Sequence, residues 1–194
     1  MPVGGRPVLR RVLDEASGPP STRIDRALGL LLEQLGMDVA FVGEFDGGAR
    51  VVTHTMSAPG VGPVPVGLSH PVQETLCHLF ITGGVDPIVA DATAHPQLAH
   101  HPHTALFGIG AYAGVPLLAD GTVIGALCCA ASAPVQVVER DIAALRTVAE
   151  YISALLGPTP GIRAHHRGSQ RRVSSAMRST GWLEPWLMAG PSRT

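Results

Sequence analysis

The chain has 194 residues, 45% of them apolar and only 4% aromatic, with a formal net charge of −1 at pH 7. That length suits one domain of roughly 100–150 residues plus flanking segments, and Leu, Val, Ile and Ala must fill its core. The near-neutral charge argues against nucleic acid as a partner. Three cysteines are too few for a disulfide scaffold. The longest apolar stretch falls short of the ~20 residues of a membrane-spanning helix. Without the residue order of a signal peptide, the expectation is a cytoplasmic protein with reduced thiols and no membrane partner.

"VLRRVLDEA" (8–16) reads as a short helix, broken by "SGPP" (17–20). Ile24, Leu28, Leu31 and Leu35 recur at helical spacing behind Ser21 and Thr22 and before Gly36, which predicts a helix over 21–35. "VAFVGEF" (39–45) and "ARVVTHTM" (49–56) read as strands joined by "DGG" (46–48). The stretch 57–70 is rich in Gly and Pro and is expected to be irregular. "PVQETLCHLFITGG" (71–84) reads as a helix, "DPIVAD" (86–91) as a short strand, and 92–108 as a loop with short helical turns.

"IGAYAGVPLLADGTVIGALCC" (109–129) holds Asp120-Gly121 between two apolar runs, a strong hairpin signal. A two-residue loop pairs Ala119 with Thr122, Leu118 with Val123, and so on to Tyr112 with Cys129. Both faces of that hairpin are apolar, so the sheet is expected to be covered on both sides. Residues 138–156 form an amphipathic helix with Ile142, Leu145, Val148, Ile152 and Leu155 on one stripe. Beyond it lies a basic tail, 157–194, with 6 Arg against Glu184 alone, expected to be flexible, with a short helix near 169–179. Hairpin-joined strands imply an α+β fold around an antiparallel sheet.

Cys128 and Cys129 are neighbours on a strand and point to opposite faces. They match neither a zinc nor a thioredoxin spacing, so packing is the favoured role. Cys77 sits beside His78 in "ETLCHLF", but neighbours on a helix diverge by ~100°; packing is again favoured, with a reactive thiol as the alternative. His95, His100, His101 and His103 crowd into "HPQLAHHPH", a set that suggests a metal or a haem axial ligand against the plainer reading of a solvated loop. Asp91 is placed to cap that loop. No phosphate-binding loop, nucleophile elbow or paired carboxylate motif is present.

The element order, together with "IGAYAGVPL", "DG" and "GALCC", resembles GAF domains, the small-molecule sensory modules of signalling proteins, over roughly 21–156. It is most similar to the type found N-terminal to bacterial cyclic-di-GMP phosphodiesterase (EAL) domains. The matching positions are Cys77, Asp91-Ala92, His95-Pro96, Ile109 to Leu117, Asp120-Gly121 and Gly125 to Cys129. The resemblance implies a central antiparallel sheet of five or six strands. Terminal helices 21–35 and 138–156 would cover one face and serve a homodimer, and a ligand pocket would lie under the 57–108 roof on the other. It also implies ligand contacts among Cys77, Asp91, His95, His103, Tyr112 and Cys129. Bilin-binding members carry a Cys-His pair just before the penultimate strand, where this chain has His101-Pro102-His103, so bilin is not expected. No asparagine-lysine-phenylalanine-aspartate-glutamate cyclic-nucleotide signature occurs.

The reading is a stand-alone sensory or regulatory domain that binds a small molecule and signals by helix or dimer rearrangement to a protein partner. Two alternatives are kept: a redox sensor or reductase using Cys77, and a ligand-free dimerisation module. No catalytic constellation argues for an enzyme.

Overall fold

The computed structural model describes residue 11 and residues 17–157. The elements run α1 (Pro20–Leu35), β1 (Val39–Asp46), β2 (Ala49–Ser57), β3 (Ser69–Pro71), a 3-10 turn (Val72–Glu74), α2 (Leu76–Ile81), β4 (Ile88–Val89), α3 (Pro102–Phe107), β5 (Ala111–Ala119), β6 (Thr122–Ala131) and α4 (Glu139–Leu156). The helix expected at 8–16 and the one near 169–179 lie outside the described residues, Arg11 excepted. The expected 71–84 helix is shorter. Thr75 has extended backbone angles (φ −97°, ψ 150°) that separate the 3-10 turn from α2, and Gly83 at φ 73° follows its end. No helix among the described residues is long and apolar enough to cross a membrane.

The six strands form one antiparallel sheet in the order β3-β2-β1-β6-β5-β4. Both hairpin turns use left-handed backbone: Gly47 and Gly48 at φ 55° and 88°, Asp120 and Gly121 at φ 49° and 71°. The second pair is the type I′ geometry that matches the strands' own twist.

Alternation along the strands divides the core. Ala40 and Val42 of β1, Ala113, Val115 and Leu117 of β5, and Leu127 and Cys129 of β6 pack beneath α1 and α4. Phe41, Phe45, Val52, Tyr112, Ala126, Cys128 and Ala130 face the other way, under Leu76, Cys77, Phe80, Ile81 and Leu98 of the roof. The two long helices are cross-linked by Gln34 donating to Asp141 (2.9 Å) and by Arg23 Nε donating to the Tyr151 hydroxyl (3.0 Å). The expected two-sided cladding is therefore present, with the terminal helices together on one face.

One expectation about register fails. Ala119 pairs with Thr122 and Leu118 with Val123 as anticipated, but Leu117 then pairs with Gly125, and Tyr112 with Ala130 rather than Cys129. Ile124 is an extra residue in β6, a β-bulge, and a one-residue slip exchanges every later side chain between faces. Tyr112 thus shares its face with Cys128, not Cys129.

The sheet is tight where β1 meets β6. A methyl group on Gly125 would run into the Gly43 carbonyl oxygen and the Glu44 Cα, both backbone atoms that a rotamer change cannot move. Gly125→Ala should therefore destabilise the fold by about 1–3 kcal/mol, read as a lower urea midpoint at unchanged slope. An unchanged midpoint would contradict this packing.

Candidate functional site

A cavity of about 310 Å³ lies between the pocket face of the sheet and the roof, at the small end of the ~300–1,000 Å³ typical of small-molecule sites. Its floor is Phe41, Arg50, Tyr112 and Ala130. Its walls are Leu68, Thr75, Leu76 and Cys77, and its rim is the 61–65 loop with His103, Phe107 and Ile109. Most of that lining is apolar. The irregular 57–68 segment that closes one side is anchored back on β2 by Gly67 and Val52, which exchange backbone hydrogen bonds with Val52 and Leu68 carbonyls (2.8 and 2.9 Å).

Three of the six sequence-derived site residues meet here: Cys77, His103 and Tyr112. The Cys77 sulfur contacts Cys128 Sγ at 3.0 Å and the Tyr112 hydroxyl at 3.3 Å, all buried. The hydrogen bond from Cys128 is the largest influence on Cys77. It outweighs burial and, with Arg50 nearby, draws the thiol down to about 6. Burial pushes Cys128 and Tyr112 well up, while Cys77 lies below the ordinary thiol range. Burial also lowers His103 to about 4, helped by His70, His101 and Arg50. His103 packs edge-on against His70, His101 and Phe107, with ring centroids 5.0–5.3 Å away.

The other three stand elsewhere. Asp91 accepts from Thr93 Oγ1 (2.6 Å) and from the Thr93 and Ala94 amides (2.9 and 3.2 Å), which caps the turn after β4. The Thr93 hydroxyl bond holds its carboxyl below the usual range. His95 Nδ1 takes the same part for the amides of Gln97 and Leu98. Cys129 is fully buried on the helix face, turned from the cavity by the bulge, and burial alone raises its thiol.

Sequence reasoning missed Arg50, Phe41 and Cys128. Arg50 was legible as a strand residue, and its alternation with Val52 puts it on the pocket face; what hid it is that a single Arg in a strand usually marks the solvent side.

Neither group known from such folds fits. The stretch corresponding to a bilin-attaching Cys-His pair reads His101-Pro102-His103, with no cysteine, and His101 Nδ1 accepts the His103 amide (3.1 Å). A cavity of about 310 Å³ does not admit a haem macrocycle beside a His103 ring already enclosed by three others. Among the described residues no three His, Cys, Asp or Glu side chains converge as metal ligands.

A family model for the GAF domain matches residues 19–156. Among solved structures, the phycocyanobilin-bound GAF domain of a cyanobacterial phytochrome superposes with a TM-score of 0.65 at 18% identity, covering 80% of this chain and 95% of that one. The GAF domain of an Acinetobacter phosphoenolpyruvate-protein phosphotransferase gives 0.62 at 21% identity, covering 77% and 90%. The chromophore-binding domain of an unusual bacteriophytochrome from R. palustris gives 0.62 at 15%, covering 79% of this chain but 59% of that one, so this chain spans about three-fifths of its length. A comparison with curated proteins finds no match.

The thiol cluster makes a measurable statement about pH. Because folding lowers Cys77 from near 9 to about 6, the folded state gains stability as pH rises from about 6 towards 9, and loses it as pH falls through 6. Cys128→Ala removes the main cause. Ultraviolet thiolate absorbance should titrate near 6 in the native protein and move up towards the ordinary thiol range in that variant. Titration near 9 in both would refute the assignment.

Proposed function

The chain belongs to the GAF domain family, and from that premise we propose that it is a sensory or regulatory module, not an enzyme, which binds one small molecule between sheet and roof. One observation carries this reading: a largely apolar cavity that touches β1, β2, β5 and the roof on the face opposite the paired terminal helices. An occupant there contacts the strands on which α1 and α4 rest. It can bias those helices only through a difference in affinity between two arrangements. We read α1 and α4 as the homodimer surface and the output to a signalling partner. The quoted motifs support a kinship with GAF domains that precede cyclic-di-GMP phosphodiesterases. Three free cysteines support a reducing compartment, the cytoplasm.

A ligand at one hundred times its Kd should stabilise the protein by about 2.7 kcal/mol. Thermal melts against a metabolite panel read this, with sedimentation of the same samples following the dimer. Ala130→Phe places a ring in the cavity and should abolish the response while the protein stays folded. A response that survives in Ala130→Phe, or none across the panel, would defeat the proposal. A dimer that no compound perturbs would favour a ligand-free interaction module.

A second reading is favoured by the 3.0 Å contact of Cys77 and Cys128. The Cys77 thiolate attacks a peroxide oxygen: an S–O bond forms, the O–O bond breaks, and the leaving oxygen takes up a proton and departs as water. Cys128 then displaces hydroxide from the sulfenic acid, forming the disulfide and a second water. The two thiols lose two electrons and two protons to the peroxide. Peptide mapping after mild hydrogen peroxide should recover a Cys77–Cys128 linkage, and Cys128→Ser should leave a dimedone-reactive Cys77. Two thiols still free after peroxide would end this reading.

A further inference from the structure

Arg50 is the structure's least explained charge. It is 4% exposed, lines the cavity, and its Nε is buried with no hydrogen-bond partner. No carboxylate pairs with it among the described residues. Buried guanidinium groups are otherwise paired, since an isolated charge in an apolar site is strongly unfavourable. Arg50 acts electrostatically on Cys77, but the Cys77 sulfur is hydrogen-bonded to Cys128 and Tyr112 instead.

The fold goes out of its way to hold this side chain inward. Arg50 leaves β2 opposite Phe45 of β1 and His70 of β3. Its stem lies over Gly43, where a Cβ would come within 2.5 Å of Arg50 Cδ and 2.8 Å of Cγ. Its guanidinium carbon then sits 5.4 Å from the centre of the Phe41 ring. The bare glycine is thus the slot, and the Phe41 face the platform, that aim the cation along β1 into the cavity. His70 Nε2, in the cross-strand position, is likewise buried without a partner.

Resting on the pocket reading above, we propose that the ligand is a small monocarboxylate with a hydrocarbon or aromatic body, its carboxylate held by Arg50. A planar carboxylate accepts two parallel bonds from one guanidinium, and the apolar lining suits the body. One cation matches one negative charge. His103, neutral near pH 7, supplies no second positive charge for a phosphate dianion.

The test uses the full chain and the neutral fluorophore prodan as pocket reporter. Benzoate, phenylacetate and hexanoate are the probes, their amides the neutral controls, and phenyl phosphate the competing anion. At least one carboxylate should displace prodan at least about tenfold more tightly than its amide and than phenyl phosphate. Arg50→Met should cut the preference for that carboxylate over its amide by at least about tenfold, each read against the variant's own prodan affinity, and melt no lower than the parent without ligand, since it removes an unpaired charge. Gly43→Ala keeps the arginine but pushes its stem out of the slot. It should weaken the carboxylate about fivefold or more, and it carries the test where Arg50→Met does not fold. Amides equal to acids, phosphate preferred to carboxylate, or unchanged carboxylate affinity in both variants overturns the inference while prodan binding leaves the pocket reading standing. Failure of prodan and every probe to bind removes both.

Discussion

Everything in this domain depends on a sheet with no solvent face. An antiparallel sheet commonly packs one side and wets the other, yet here β1, β5 and β6 are apolar on both. Two separate sets of elements must therefore cover them. The terminal helices form a regular, cross-linked layer on one side. The other is closed by short pieces: a 3-10 turn, two six-residue helices and a glycine- and proline-rich loop. Short irregular pieces do not fill space as two long antiparallel helices do, and the cavity is the volume they leave. Pocket and packing are two results of one alternation pattern.

The same alternation explains how far the chain could be read in advance. Helices 21–35 and 138–156 and both hairpin turns carry their periodicity and turn residues locally, so the fold class was legible. The bulge at Ile124 was not. It needs no turn residue of its own, and its signal, Gly125, owes its role to Gly43 in another strand. From that single missed residue followed the wrong face for Cys129. Cys77 and Tyr112 were recoverable as candidates from motif positions, but their meeting with Cys128 was a tertiary fact. Asp91 and His95 were visible for a different reason: both cap turns, and capping residues stand out in sequence whether or not they touch a ligand.

The site's chemistry is a contest between burial and company. Burial alone raises Cys129, and burial, helped by His70, His101 and Arg50, lowers His103. Only Cys77, with a thiol, a hydroxyl and a guanidinium around it, is moved against its burial. Arg50 therefore serves both readings of the pocket: it favours a thiolate at Cys77 and it lacks a hydrogen-bonding anion of its own. An entering carboxylate would neutralise the cation that helps to hold Cys77 ionised, so occupancy and thiol reactivity oppose each other by necessity of charge.

Strand β1 is where a ligand's presence can be transmitted. Phe41 faces the cavity, and its neighbours Ala40 and Val42 lie beneath the helices. Gly43, the next residue, holds the Arg50 stem on one side and takes the Gly125 backbone close against its carbonyl. A ligand that draws Arg50 deeper shifts the stem lying over Gly43, whose other close neighbour, the Gly125 backbone, cannot rotate away. Side chains one residue apart share this strand's backbone, so under the proposed reading a displacement on the pocket side reaches α1 through Ala40 and Val42. The pair of glycines brings the Arg50 stem and the β6 backbone against the same stretch of β1.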